Sequence, residues 1–445
     1  MGASEGNDPF KKFEVTAGDT QILRELARRA AEIGHDPVNR ERARLWNRLN
    51  HLQAERPLLY VWQRVANVPW AELDVNGELT LRTETPFARE LETELRQRIY
   101  RFTHLADDSV FEPKVYCTYE IGVSAYGVEV KTEQADLSVN DIASQHFIKV
   151  IETEDDLEKI TPPVLTHDAA RTAAKQAAMR GIFDGILDVE LRLCRDNDLT
   201  FWAPAWDHLV RLMGVEEVLL GFALNPDFMH KAIDRLMTAG LALLDQYEAL
   251  PLPLTNAGNE TTGSGGLAFH DELQARGQRC VVGPSLATCR EAPRKLKNLW
   301  GCAASQIFAQ GSPEMHNEFA IAYEKRWLKR FGLAYYGCCE PLHNRAEYLR
   351  TIPNLRKVSI SPWADLDEAV ANLGRDYVLS IKVNPFAFAD TAWSLDEQRA
   401  ILKGILEKTR GCQVEIIMKD VSTVNHQPER LWQWAEMAKV MVERL

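Results

Sequence analysis

From about residue 150 onward the chain repeats one unit, an apolar run of β type followed by a helical pattern. The runs fall at 199–204, 252–256, 299–304, 333–336, 357–360, 377–381 and 414–418, the last reading Val414-Glu415-Ile416-Ile417-Met418. A helix between two strands returns the chain to the starting edge, so repeated strand-then-helix units predict a parallel sheet. One earlier run, around 185–189 or within 110–117, brings the number of units to eight. Eight such units predict an α/β protein of the (β/α)8 TIM-barrel class, with a doubly wound open sheet as the alternative.

Helix starts are signalled at Asn225-Pro226-Asp227, Ser312-Pro313-Glu314, Ser394-Leu395-Asp396-Glu397 and Gln427-Pro428-Glu429. Proline at a first helical position loses no hydrogen bond, and an acid beside it suits the helix dipole. Residues 18–105 carry apolar side chains at spacings of three and four, which predicts an N-terminal helical extension over 1–105. Residues 106–165 are irregular and strand-prone and read as a lid or insertion. The barrel is then expected over 166–445.

Composition narrows the function classes. The formal net charge of −12 argues against phosphate-backbone binding, so no nucleic-acid partner is expected. No apolar run approaches the roughly 20 residues that span a bilayer. The N-terminus lacks a basic region followed by an apolar one, and the eight cysteines show no disulfide-framework spacing. A cytoplasmic chain acting on a small molecule is the expectation. An apolar, aromatic N-terminal arm also suggests a homodimer.

In a barrel, chemistry gathers on the loops after the strands. The richest of these is Gly337-Cys338-Cys339-Glu340-Pro341-Leu342-His343, where two thiols, a carboxylate and an imidazole share a tight turn. Such a set can bind a soft metal, hold a thiolate or move a proton. Side chains alternate along a strand, so one of Cys338 and Cys339 is expected to face the mouth and the other to pack. Asp207-His208 reads as an acid/base pair or, for Asp207, a helix N-cap. His316 reads as solvated. Lys382 and Lys419, near strand ends, are candidates to anchor a carboxylate. Asn256, Asn259 and the glycine-rich stretch 261–266 read as a mobile lid or a plain crossover. Trp202, Trp206, Trp300 and Trp363 could form an aromatic wall or simply pack.

Several strand ends resemble a known superfamily. Ile151 to Ile160 resembles its helix leading from lid to barrel. Phe308-Ala309-Gln310-Gly311-Ser312-Pro313-Glu314 is similar to a segment that precedes a His-x-Cys-Gly strand end, here Tyr336-Gly337-Cys338-Cys339. The run from Tyr377 to Pro385 resembles a strand ending in Gly-Asn-x-Asp-Pro, keeping Asn384 and Pro385. Ile417-Met418-Lys419-Asp420 through Pro428-Glu429-Arg430 resembles the last strand and the Pro-x-Glu-Asn helix start. Over residues 150–445 the chain thus resembles the superfamily of uroporphyrinogen decarboxylases and cobalamin-dependent methyltransferases.

That resemblance implies a TIM barrel and a methyltransferase moving a methyl group between a small molecule and a corrinoid carried by a partner protein, with zinc assistance. Decarboxylation of a carboxylic acid and a non-catalytic binding barrel are the alternatives. The departures are specific: Tyr336 stands where the zinc-binding His would be, and Asp420 or Val421 where the last Cys or His would be. The arm at 56–64 keeps Gln63-Arg64 without the family's Ala-Gly, which argues against a tetrapyrrole tetra-acid. The implied catalytic set is Cys338, Glu340, His343, Asp420 and His208, with Cys338, Glu340, His343 and Asp420 as zinc ligands. The implied substrate contacts are Trp206, Asn256, Asn259, Gln306, Tyr336, Trp363, Lys382 and Asn384.

Overall fold

The structure, a computed structural model, describes residues 11–61, 70–134, 145–193, 201–278 and 295–445. Its centre is a six-stranded parallel sheet. The strands are β1 (Leu58–Val61), β2 (Trp300–Ala303), β3 (Leu333–Tyr336), β4 (Leu355–Ile360), β5 (Val378–Val383) and β6 (Gln413–Met418). Their order in space is β1-β6-β5-β4-β3-β2, so β2 to β6 follow one another in sequence across the sheet and the first strand lies against the last. Leu58 pairs with Glu415 and Val61 with Met418 in that outer ladder.

Five of the seven apolar runs are thus strands of this sheet. The run at 252–256 is not, and of 199–204 the described part contributes one parallel bridge, Trp202 to Cys302. Both segments considered for an earlier unit are strands: Lys114–Thr118 and Asp188–Arg192 pair in parallel with each other. The sequence-based boundaries need one correction. Residues 1–105 are not purely a helical cover, because β1 belongs to the central sheet; Gln63 and Arg64 of the arm lie outside the described residues.

Every residue of β1, β2 and β5 is buried, as expected where a parallel sheet is covered on both faces. The two faces differ in chemistry. Leu59, Tyr336, Val358, Leu379, Ile381, Ile416 and Met418 point into the largest apolar cluster, beneath the helices that follow the strands. The opposite face carries Tyr335, Lys357, Ser359, Ser380, Lys382 and Glu415, all buried. One residue of register would exchange the two sets, so this alternation fixes the pairing.

The polar face is closed by helix Val38–Asn50 and the 263–269 segment, with Leu45, Trp46, Leu49 and Leu267 packed on Leu58, Tyr60, Val378 and Ile417. Lys357 and Glu415, neither with measurable exposure, form an ion pair at 2.8 Å. The Trp46 and Trp300 rings flank the Lys357 ammonium, with centroids at 5.5 and 5.6 Å. Gly265 and Gly266 lie directly on this pair. A Cβ at Gly265 would run into Glu415 Oε1, and one at Gly266 into the Trp46 ring. The glycine-rich stretch is therefore a buried plug rather than a mobile lid. Among the described residues no helix is long and apolar enough to cross a membrane.

Candidate active site

The carboxyl ends of the strands open into a cleft of about 1090 Å³. One wall comes from the turns after β3 and β6, with Cys338, Cys339, Lys419 and Asp420. The facing wall comes from helix Trp206–Met213 and the following strand-end segment, with Asp207, His208, Arg211 and Gln306. Tyr119 and Tyr126 roof it from the 114–126 region, and Trp202 lies on its side.

Gly337 makes the turn that presents both thiols. Its φ of 97° is one that residues with a Cβ rarely adopt, and a Cβ there would meet Leu342 and Ser359. Cys338 and Cys339 both line the cleft, contrary to the one-in, one-out expectation, because strand alternation ends at Tyr336. Cys338 Sγ lies 3.6 Å from Cys339 Sγ and 3.5 Å from Lys419 Nζ. The Cys339 thiol is the largest influence on Cys338. It outweighs burial and, together with Lys419, Lys382 and Ser264, brings the Cys338 pKa down to about 6. Cys339 is pushed up, chiefly because its proton is held by Cys338. One proton is thus shared by two sulfurs, leaving Cys338 as the thiolate near neutral pH.

Lys382 sits behind the thiols, fully enclosed. Its Nζ contacts Ser380 O at 3.0 Å, Ser380 Oγ at 2.8 Å and the Tyr335 hydroxyl. Burial first, then Lys419, lowers its pKa to about 7. Lys419 goes the other way. Burial works against its charge, but the Cys338 and Asp420 anions raise its pKa. Asp420 Oδ2 lies 3.1 Å from that ammonium.

A buried hydrogen-bond chain runs away from Cys338. Its backbone N–H donates to Glu340 Oε2 at 2.9 Å, and Ser305 N–H donates to Glu340 Oε1 at 3.1 Å. Ser305 Oγ donates to Glu324 Oε1 at 2.7 Å, and Tyr336 OH donates to Glu324 Oε2 at 2.5 Å. His316 Nε2 meets Tyr336 OH at 2.9 Å, and Arg345 Nε donates to His316 Nδ1 at 2.9 Å. Guanidinium has only donors, so His316 Nδ1 must accept and the ring must be neutral with its proton on Nε2. Burial and Arg345 hold the His316 pKa at about 3. Burial raises Glu324 and Glu340 to about 7 each. A π-helical turn, Asn317–Ile321, lies between His316 and Glu324. The expectation of a solvated His316 is overturned: it has no exposure.

Arg345 also donates to Pro341 O at 2.7 Å, Gly311 O at 2.8 Å and Phe308 O at 3.1 Å, binding the cysteine turn to its neighbour. Arg345→Met would leave those carbonyls and His316 without their donor. A loss of about 2–4 kcal/mol is expected, read from the urea midpoint, with Cys338 becoming less reactive as its turn loosens.

The remaining sequence candidates sort as follows. His208 lines the cleft, with its pKa lowered by burial and Arg211, and its Nε2 finds no hydrogen-bond partner among the described residues. Asp207 is not an N-cap; Ala205 is, and Asp207 instead accepts from Gln306 N at 3.1 Å and Gln306 Nε2 at 2.8 Å. Burial raises its pKa. Gln306 lines the cleft.

Five candidates serve structure. Trp206 is buried, donating to Phe319 O at 2.8 Å. Asn256 bridges Trp300 N and O, and Asn259 donates to Val110 O. Tyr336 faces the helices, and Asn384 is exposed and accepts from Phe386 N–H. Trp363 is 71% exposed. Of the four tryptophans considered for an aromatic wall only Trp202 lines the cleft, in company with Tyr119, Tyr126, Tyr247 and Trp327, while Trp206 and Trp300 are buried and Trp363 is exposed.

The four residues proposed as zinc ligands do not fit that role together. His343 lies off the cleft, with Nε2 3.7 Å from Glu368, and both Glu340 oxygens are held by main-chain N–H groups. Cys338 and Asp420 alone share the hollow. Residues not singled out from sequence include Ser264, Glu324, Arg345 and Arg211. Only the glycines around Ser264 marked their segment; the others are ordinary helix or loop residues until the fold joins them. No protein-family model matches the chain, and no curated protein matches it.

Proposed function

We propose that this chain is a methyltransferase built on a closed (β/α)8 barrel, with the Cys338 thiolate as nucleophile toward a methyl group. The barrel is supported by strand order. A stepwise parallel sequence with the first strand against the last is what closure requires, whereas a doubly wound sheet reverses direction at a switch point. Two further strands would be needed, and the segment of the Trp202 bridge, beside β2, and one strand of the parallel pair 114–118 and 188–192 are the candidates for them.

The observation that carries the chemistry is the sulfur at 338, lying 3.6 Å from the Cys339 sulfur and 3.5 Å from the Lys419 ammonium in an open cleft, an arrangement that favours its thiolate. A corrinoid brought by a partner protein would supply or remove the methyl group as a methyl-cation equivalent. On this chain the Cys338 sulfur attacks the methyl carbon in line. The S–C bond forms as the bond from carbon to its leaving group breaks, and the electron pair departs with that group. Lys419 fixes the thiolate, and neutral His208 and Asp207 face it as proton carriers for the small molecule. No step passes through zinc.

Incubating the full-length protein with free methylcobalamin is expected to add one methyl group to the peptide containing Cys338, read by mass spectrometry. Cys338→Ser should lose more than about 1000-fold in rate. Methylation of other residues only, or none, would end this reading. Lys419 and Arg211 in one cleft, facing an acid whose pKa burial raises, favour decarboxylation as the second reading. There the cations seat the carboxylate and Asp207 returns a proton. Release of carbon dioxide that persists in Cys338→Ser would select it.

A further inference from the structure

On the far side of the polar sheet face, away from the cleft, three side chains from two distant segments meet. His51 is the C-cap residue of helix Val38–Asn50, and His270 and Asp271 lead into helix Asp271–Gln278. One ligand atom from each lies within 4.8 Å of the other two. Among the described residues this is the one such group of His, Cys, Asp or Glu. His51 Nε2 is 2.7 Å from Asp271 Oδ1, and the two imidazole rings stack with centroids 3.9 Å apart.

We propose that His51, His270 and Asp271 bind a divalent transition ion, zinc in the first instance, which clamps the N-terminal helix to the body of the molecule. Two imidazoles and one carboxylate are a recurrent zinc donor set, with a fourth position left for water. In a tetrahedral zinc site the donors lie about 3.3 Å apart, given metal–ligand distances near 2.0–2.1 Å. The 2.7 Å contact therefore needs to open by only about half an ångström.

The backbone beneath the donors is already fixed. Asn50 Nδ2 donates to Leu267 O at 3.0 Å and Phe269 O at 2.8 Å, and Asp271 N–H donates to Asn47 Oδ1 at 2.8 Å. His270 N–H donates to Ala257 O, and its carbonyl accepts from Gln274 N–H, each at 3.0 Å. Little ordering entropy is left for the metal to oppose. The gradient of exposure also suits a site: His270 is 5% exposed, the His51 side chain 23% and that of Asp271 69%, so an ion has an approach from solvent and a buried seat. An imidazole is a borderline donor and a carboxylate a hard one, which favours zinc over calcium or magnesium.

The test is equilibrium dialysis of the full chain against zinc alone, with differential scanning fluorimetry alongside. One equivalent is expected to bind and to raise Tm by several degrees. His51→Ala, at a half-buried position, and Asp271→Asn, at an exposed one, should each weaken binding by more than about 100-fold and abolish the Tm shift. A variant with Cys338→Ser and Cys339→Ser should keep both. Binding that survives His51→Ala and Asp271→Asn, that disappears with the two cysteines, or that needs more than about 100 µM free zinc overturns the proposal.

Discussion

Glu415→Ala should cost about 3–5 kcal/mol of folding stability, the largest single loss expected in this molecule. The reason is the charge left behind. Lys357 has no route to solvent, and its nearest other acceptor is Leu267 O at 3.4 Å. The flanking Trp46 and Trp300 rings soften an unpaired ammonium but cannot neutralise it. Gly266 N–H, which donates to Glu415 Oε1 at 3.0 Å, loses its acceptor as well.

The double replacement Lys357→Met with Glu415→Leu removes both charges at similar volume and should recover most of the loss, since two buried ions gain little net over apolar packing. Urea unfolding of the two single variants and the double variant measures this directly. If Glu415→Ala costs no more than a surface change, the pair is not buried as described. The pH dependence has a definite sign. Burial, the largest single influence, opposes ionisation of Glu415, but Lys357, Ser380 and Lys382 together hold the pKa below the ordinary carboxylate value. The contribution of Glu415 is therefore complete above about pH 4.3 and is lost as pH falls through the lower folded value, while Lys357, whose pKa burial lowers, adds no stability of its own by titration.

Alkylation of Cys338 should follow a titration centred near pH 6, against about 8.5 for an unperturbed thiol. At pH 7 roughly nine-tenths of this sulfur is then thiolate. The rate advantage over a free cysteine will be smaller than that fraction suggests. A less basic thiolate is a weaker nucleophile, with a Brønsted slope of about 0.4–0.5, so the gain at neutrality should be only about two- to threefold. The midpoint, not the plateau, is the diagnostic quantity. Cys339→Ala should move it upward most, because the neighbouring thiol is the largest cause of the shift. Lys419→Met should move it by about one unit or more, as expected for loss of an opposite charge at contact distance. Iodoacetamide labelling followed by mass spectrometry across pH 5–9 reads both. A wild-type midpoint near that of a free thiol would remove the thiolate from the site.

The central strands were legible because their alternation is strong. Val378-Leu379-Ser380-Ile381-Lys382-Val383 announces one aliphatic face and one polar face, and the structure buries both. The turn at 337–343 was legible as chemistry because thiols, an acid and an imidazole crowd it. What that turn does was not. His343 and Glu340 differ by three residues, yet one faces Glu368 and the other is locked under two backbone N–H groups. Such directions depend on where the chain goes after Gly337, which no local pattern encodes. The same limit hid the partners of Cys338. Lys419 lies 81 positions away, and only the convergence on one cleft of the turns after β3 and β6, which have two strands between them in the sheet, brings the ammonium to the sulfur. Leu252 to Asn256 misled for a simple reason: the apolar stretch imitates a buried strand by composition, while Pro253 within it and Pro251 just before it lack the donors that a ladder needs.

The pairing of β1 with β6 sets a schedule for the newborn polypeptide. The β1 stretch cannot find its hydrogen-bonding mate until the other four strands of the sheet have been translated. Until then the backbone edge of β1 is unpaired and Lys357 has no counterion, conditions that invite association with other chains. Maturation of this protein should therefore be slow and largely post-translational. Anything that holds the early helix near its eventual berth would shorten the exposed interval.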